Sequence, residues 1–180
     1  LLLNQARLKQ VLHYNRATGV FTWKARDPSE FKEARRCAAW NGKHAGKVAG
    51  CNSANSDGYV RIRIDRKLYL AHVLAWLYVH GRFPFPYLDH KDFDRANNRL
   101  RNLREATIFQ NNQNVRLKRS NTTGLKGIER SGSKWVARIR AHGERRYLGV
   151  FDTAEEAHAA YCEAAKELHG AFANHGRGRA

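Results

Sequence analysis

The sequence holds no methionine, three prolines and three cysteines in 180 residues. Without a Met, it is expected to start after the natural initiator. Cys37, Cys51 and Cys162 are an odd number at wide spacing with no Cys-x-x-Cys pair. That excludes a disulfide framework or a zinc knuckle and marks them as reduced packing residues. No apolar run approaches the roughly 20 residues of a membrane span, and Leu1-Leu2-Leu3 is too short for a secretory signal. The expectation is therefore no membrane and a cytoplasmic location.

Acids are also scarce, with 16 Asp/Glu against 33 Lys/Arg, a formal net charge of +17 and a pI near 10.4. Such an excess is more than solubility requires and makes a polyanion the expected partner. The basic residues are spread over strands, loops and helices rather than along one amphipathic helix, which argues against a membrane surface. Residues 121–180 hold 10 Lys/Arg and 7 Asp/Glu, which leaves 23 and 9 to residues 1–120. The first part carries most of the electrostatic pull.

With 42% apolar residues the chain can bury a core, and its length suits one medium domain or two small ones. Asn4 is placed as an N-cap, with Leu3 and Leu8 as a hydrophobic staple, for a helix ending near Tyr14. Gly19 to Trp23 reads as a strand, and residues 24–46 show no clean period. Tyr59 to Asp65 alternates with period two and turns at Arg66-Lys67 into Leu68-Tyr69-Leu70, a hairpin with one basic face. Ala71 to His80 is apolar enough for a buried helix, stopped by Gly81, Pro84 and Pro86. Tyr87 to His90 then reads as a strand, residues 99–103 as a second, and the capping box Thr107-x-x-Gln110 opens a helix at Ile108. Beyond a linker come three short strands, near residues 127–130, 134–140 and 145–151. The box Thr153-x-x-Glu156 opens a last helix with Ala157, Tyr161, Ala164 and Leu168 as its apolar stripe. The fold class expected is α+β: a hairpin and helix region with a strand-strand-helix motif, then a three-stranded antiparallel sheet packed on one helix.

The chemistry concentrates at Asp89-His90, with an asparagine-rich basic run at 95–104 and Gln110-Asn111-Asn112 after it. Hydrolysis of a phosphodiester needs an activated water, help for the leaving 3′ oxygen and neutralisation of phosphate charge. His90 can take a proton from water at neutral pH, and Asp89 can bind a divalent cation through oxygen. Asn111 can add a neutral oxygen from the helix, and Asn112 is its rival because helix register is uncertain by a residue. Few carboxylates surround the site, so one metal fits better than two. His72 is either a ligand or phosphate contact, or a hydrogen-bonded core histidine beside the site. Asn97 and Asn98 are assigned to turn geometry.

The run Tyr69-Leu70-Ala71-His72, Leu88-Asp89-His90, Asn97-Asn98-Arg99, Asn102-Leu103-Arg104 and Gln110-Asn111-Asn112 resembles the HNH endonucleases of phages and mobile introns. The resemblance spans about residues 1–120 and implies a ββα-metal site with one divalent ion, Mg²⁺ first and Mn²⁺ as the alternative. It further implies Asp89 and Asn111 as ligands, His90 as general base and Asn102 as the brace of the loop. The last position is Asn rather than His, a variant the family tolerates.

Residues 124–175 resemble the DNA-binding domain of plant ethylene-response (Apetala-two) factors, through Gly124 to Ile128, Lys134 to Ile139, Tyr147 to Ala157 and Ala159 to Tyr161. In that family the sheet lies in the major groove. Lys126, Arg130, Arg138, Arg140, Arg145 and Tyr147 are thereby implied as contacts, and alternation puts Lys134 on the face of Arg138 and Arg140. Position 129 is Glu where the plant domains carry Arg, and 138 is Arg where they carry Glu, so plant target sequences do not transfer.

The expected organisation is an HNH nuclease domain over 1–116 with its motif at about 87–116, a linker at 117–123, a DNA-binding domain at 124–175 and a basic tail at 176–180. The expected function is metal-dependent, homing-like cleavage of double-stranded DNA in the host cytoplasm of a phage-encoded protein, by a nicking monomer or a cutting dimer. A non-catalytic DNA-binding regulator is the alternative, and RNA binding a third reading.

Overall fold

In the computed structural model, which describes residues 3–51, 57–115, 117 and 120–176, regular structure begins where the Asn4 side chain accepts the Arg7 amide at 2.8 Å. The helix it caps, α1, runs over Gln5–Val11 and stops earlier than its sequence suggests. Leu12 and Tyr14 are buried while His13 is exposed, and this period of two makes Leu12–Tyr14 a strand, β1, antiparallel to β2 at Phe21–Trp23. A 3₁₀ turn at Pro28–Glu30 and helix α2 at Ala34–His44 fill the stretch that had no clear period. The basic hairpin follows as β3 (Arg61–Ile64) and β4 (Lys67–Leu70), with Ile62 and Ile64 pointing into the core and Asp65 and Arg66 both at positive φ in its turn.

Helix α3, Ala71–His80, ends on Gly81 at φ 75°. It packs Leu74, Ala75 and Leu77 against Leu8, Val11, Phe21, Ile62 and Leu88 in one core, where each fully buried large side chain contributes about 2 kcal/mol. Strand β5, Tyr87–His90, pairs with β6, Leu103–Ala106. The second strand begins later than expected because Leu100–Asn102 forms a 3₁₀ turn first.

The chain divides into two units, Leu1–Glu105 and Ala106–Ala180, rather than at residue 116. Hydrogen bonds explain the shift. Lys126 Nζ donates to the carbonyls of Gln113 and Val115 at 3.0 Å, and Asn174 Nδ2 to that of Val115 at 2.8 Å. The helix after β6, α4 at Ile108–Gln113, thus counts with the carboxy-terminal unit, and its capping box between Thr107 and Gln110 is formed in both directions. The expected linker and tail include residues 118–119 and 177–180, which lie outside the described residues.

The second unit is a three-stranded antiparallel sheet in the order β7 (Ile128–Ser131), β8 (Lys134–Ala141), β9 (Glu144–Phe151), backed by α5 at Ala154–His169. The Thr153–Glu156 capping box is formed, and the buried stripe of α5 is Ala157, Tyr161, Ala165 and His169, one residue on from Ala164 and Leu168 in its second half. Gly127 is required under this helix: its φ is +79° and a Cβ there would collide with the Tyr161 ring. The whole is an α+β protein.

Candidate active site and nucleic-acid interface

Strand β5 buries Leu88, Asp89 and His90 together, so the two functional candidates sit on a paired strand rather than on a loose loop. A buried carboxylate needs a partner, and the neighbouring strand supplies it: Arg104 donates to Asp89 Oδ2 from Nε at 2.8 Å and from its second guanidinium nitrogen at 2.7 Å. His90 places Nε2 at 3.4 Å from Asn98 Oδ1. Its ring meets the His72 ring edge-on, with centroids 4.8 Å apart, and Tyr59 lies beside both at 5.1 and 6.0 Å.

Burial pushes the His90 imidazole below its ordinary pKa of 6.5, with Asn98 and the carboxylates of Asp92, Asp89 and Asp94 opposing the shift. At neutral pH the ring is uncharged and able to accept a proton. Burial, and then the neighbouring His90, push His72 down to about 3, so it too is neutral. Its Nδ1 is buried and has no hydrogen-bond partner among the described residues. The two sequence-level roles for His72 thus meet a buried position against Tyr59 and His90.

The loop after His90 is tied together by one amide. Asn102 donates from Nδ2 to Asp92 Oδ1 and to the Asn97 carbonyl, both at 2.8 Å, and its Oδ1 accepts the Asp92 amide at 3.1 Å. Asn97 and Asn98 do make turn bonds, to the Arg99 amide and the Ala96 carbonyl, but Asn98 also faces His90. The amino-terminal hairpin holds the same loop from outside. Tyr14 Oη donates to the Asn98 carbonyl at 2.6 Å, Arg99 Nε to the Ala17 carbonyl at 2.9 Å, and Gly19 lies where a Cβ would be 2.5 Å from the Arg99 amide nitrogen.

From the sequence, Asn98 was assigned to turn geometry alone, and Arg104, Tyr59 and Tyr14 to no site role. Burial of Asp89 is the one signal that demanded a cation, and with 33 Lys/Arg in the chain nothing local distinguished Arg104.

Asn111 and Asn112 lie on α4 in the second unit. The Asn111 amide donates to the Thr107 carbonyl at 3.0 Å, and Asn112 lines a cavity of about 470 Å³ with Phe109, Lys126 and His169. Among the described residues no three His, Cys, Asp or Glu side chains gather as a metal cluster, and no helix is long and apolar enough to cross a membrane.

In the sheet, cross-strand partners share a face. Lys134, Arg138, Arg140, Arg145 and Tyr147 share the face away from α5, with Arg138 opposite Tyr147 and Arg140 opposite Arg145. Two other expected contacts are elsewhere. Arg130 is opposite Trp135, on the helix side, because Glu129 takes the outward position. Lys126 is mostly buried, spends its Nζ on the carbonyls after α4, and is pushed down to about 8 by burial. Lys134 pairs with Asp152.

A family model described as HNH endonuclease matches residues 69–113. Protein 3.8 of Escherichia phage T7 is 34% identical over 105 residues, covering 57% of this chain and 86% of that protein. An uncharacterized HNH endonuclease of Acanthamoeba polyphaga mimivirus is 32% identical over 109 residues, covering 59% of this chain and 56% of that protein. Dehydration-responsive element-binding protein 2A of Arabidopsis thaliana is 51% identical over 47 residues, 25% of this chain and 14% of that one. No solved structure matches. The matched region contains His72, Asp89, His90, Asn102 and Asn111, and the chain belongs to the HNH endonuclease family.

Proposed function

We propose that the protein is a divalent-metal-dependent endonuclease that hydrolyses phosphodiester bonds of double-stranded DNA at preferred sites, in the manner of homing nucleases. The observation that carries this reading is the uncharged, buried His90 beside Asp89 on β5, with the following loop clamped by Asn102. His90 takes the proton of the attacking water as the water oxygen bonds to phosphorus. The P–O3′ bond breaks, leaving a 5′-phosphate, and the departing 3′ oxygen takes a proton from solvent to become a hydroxyl, while His90 later returns its proton to solvent. Asn102 holds the loop, and through it Asn98, against His90.

The donor chemistry fits Mg²⁺ or Mn²⁺: Asp89 offers a carboxylate oxygen and Asn111, from the sequence, a neutral one, and a hard cation that keeps most of its waters needs no all-protein cage. When bound, such an ion stabilises charge on the scissile phosphate and the leaving oxygen. The carboxy-terminal sheet docks the enzyme on duplex DNA through Arg138, Arg140, Arg145 and Tyr147, a reading supported by that basic face and by the likeness to the plant element-binding protein. One such site nicks one strand, and a double-strand break requires a second copy or a second event.

The second reading, a DNA-binding regulator without catalysis, is favoured by the two Arg104 bonds on Asp89 Oδ2, which compete with a cation. A supercoiled-plasmid assay separates the two. Nicking by wild type with Mg²⁺ or Mn²⁺, abolished by EDTA and lowered at least 100-fold in His90→Ala, is expected. No nicking with any divalent ion would leave the regulator, and full activity in His90→Ala would remove His90 as the base.

A further inference from the structure

The open face of the carboxy-terminal sheet is basic except for one carboxylate. Glu129 lies opposite Val136, and Val136 opposite Val150, whereas Ile128, Trp135, Ala137 and Ile139 pack toward α5. Glu129 therefore shares the outward face with the arginines. Its Oε1 pairs with Arg138, and its Oε2 lies 3.4 Å from the Arg145 guanidinium. The three side chains remain 48%, 36% and 60% exposed and, with Val136, line a depression of about 370 Å³. Among the described residues Arg140, next to Arg145, has no acid partner.

Neither of two plain roles explains this carboxylate. On a face that only attracts phosphates it is a liability, because it repels the polyanion and ties up two of the cations. As a structural ion pair it contributes little, since exposed pairs are weak. Base reading does explain it. Guanidinium groups match the paired acceptors on the major-groove edge of guanine, while the amino group of cytosine is a donor that a carboxylate accepts and a cation does not. A carboxylate between two guanidiniums also fixes their planes before DNA arrives, which lowers the ordering cost of binding.

We infer that Arg138, Glu129 and Arg145 form one sequence-reading element for duplex DNA, in which Glu129 selects a cytosine by accepting from its amino group and aims the two arginines at neighbouring acceptors. The inference rests on the reading that this sheet docks on duplex DNA. It concerns the position where this chain carries Glu and the plant domains carry Arg, so it makes the target sequence this protein's own.

The test uses the full chain in EDTA, so that no strand is cut. Preferred duplexes are selected from a randomised pool and confirmed by fluorescence anisotropy, for wild type, Glu129→Gln and the charge-swapped E129R/R138E. Wild type is expected to require cytosine at one position. Glu129→Gln should lose about tenfold discrimination there while binding unrelated duplex severalfold more tightly. The charge swap keeps the pair between positions 129 and 138 while giving up the one to Arg145, so a purely structural role predicts unchanged base preferences, whereas base reading predicts a different preferred base at that position. Identical preferences in all three proteins would overturn the inference and leave docking intact. Wild type that binds no duplex would overturn the docking reading, and this inference with it.

Discussion

His72 and His90 are the residues whose ionisation ties stability to pH. Both have imidazole pKa values lowered by burial, His72 to about 3. A group whose folded pKa lies below its unfolded value of 6.5 binds fewer protons in the folded state, so acid favours unfolding. Stability should be level above pH 6.5 and fall as pH drops below it, by up to about 1.4 kcal/mol per pH unit for each group until its folded pKa is passed, which for His72 is at about 3. Urea unfolding of wild type and His72→Leu across this range checks it, and the slope of the variant should be shallower. The acid limb of cleavage should also lie below pH 6.5, because the depressed His90 stays a competent base there. At this scale the sequence nominated Asp89 and His90 as site candidates but did not mark Arg104 and Asn98 as their partners. The identity of a base or a ligand is a property of one side chain, whereas its partner is chosen by which residue the next strand brings alongside.

Helix α4 is the element most dependent on its end. Six residues are too few to be stable alone in water, and its start is secured by the reciprocal Thr107–Gln110 bonds. Thr107→Ala should cost the helix about 1 kcal/mol, seen as faster hydrogen exchange at the Asn111 amide, which donates to the Thr107 carbonyl. The same box at Thr153 caps a helix of 16 residues, where fraying of one turn leaves three more packed on the sheet. Both boxes were readable beforehand, since an N-cap and its third residue are close in sequence. The end of α1 was not. Leu12 and Tyr14 fit either an amphipathic helix or a strand, and pairing with Phe21–Trp23 decides for the strand.

For the molecule as a whole, the net charge of +17 makes affinity for any nucleic acid fall steeply with salt, through release of counterions. Arg140 is the expected phosphate contact of the sheet, being outward and beside Arg145. Arg140→Ala should weaken binding about equally for all duplex sequences and reduce the slope of log K against log salt by about 1, read by anisotropy from 50 to 300 mM salt. A change confined to one target sequence would instead make Arg140 a base reader. The strands of the candidate site, β5 and β6, belong almost wholly to the first unit and the basic sheet to the second.

Composition, capping boxes and turn residues were enough to name the α+β class and the order of most strands and helices, and they nominated Asp89, His90 and Asn111 as site candidates. These are local signals, carried by residues a few positions apart. Folding alone settled the pairings that give those residues their state: Arg104 on Asp89, Asn98 on His90, Tyr14 under Asn98, Lys126 turned inward and Glu129 turned out between two arginines. Each depends on strand register or long-range packing, where a slip of one residue reverses which side chain faces the core.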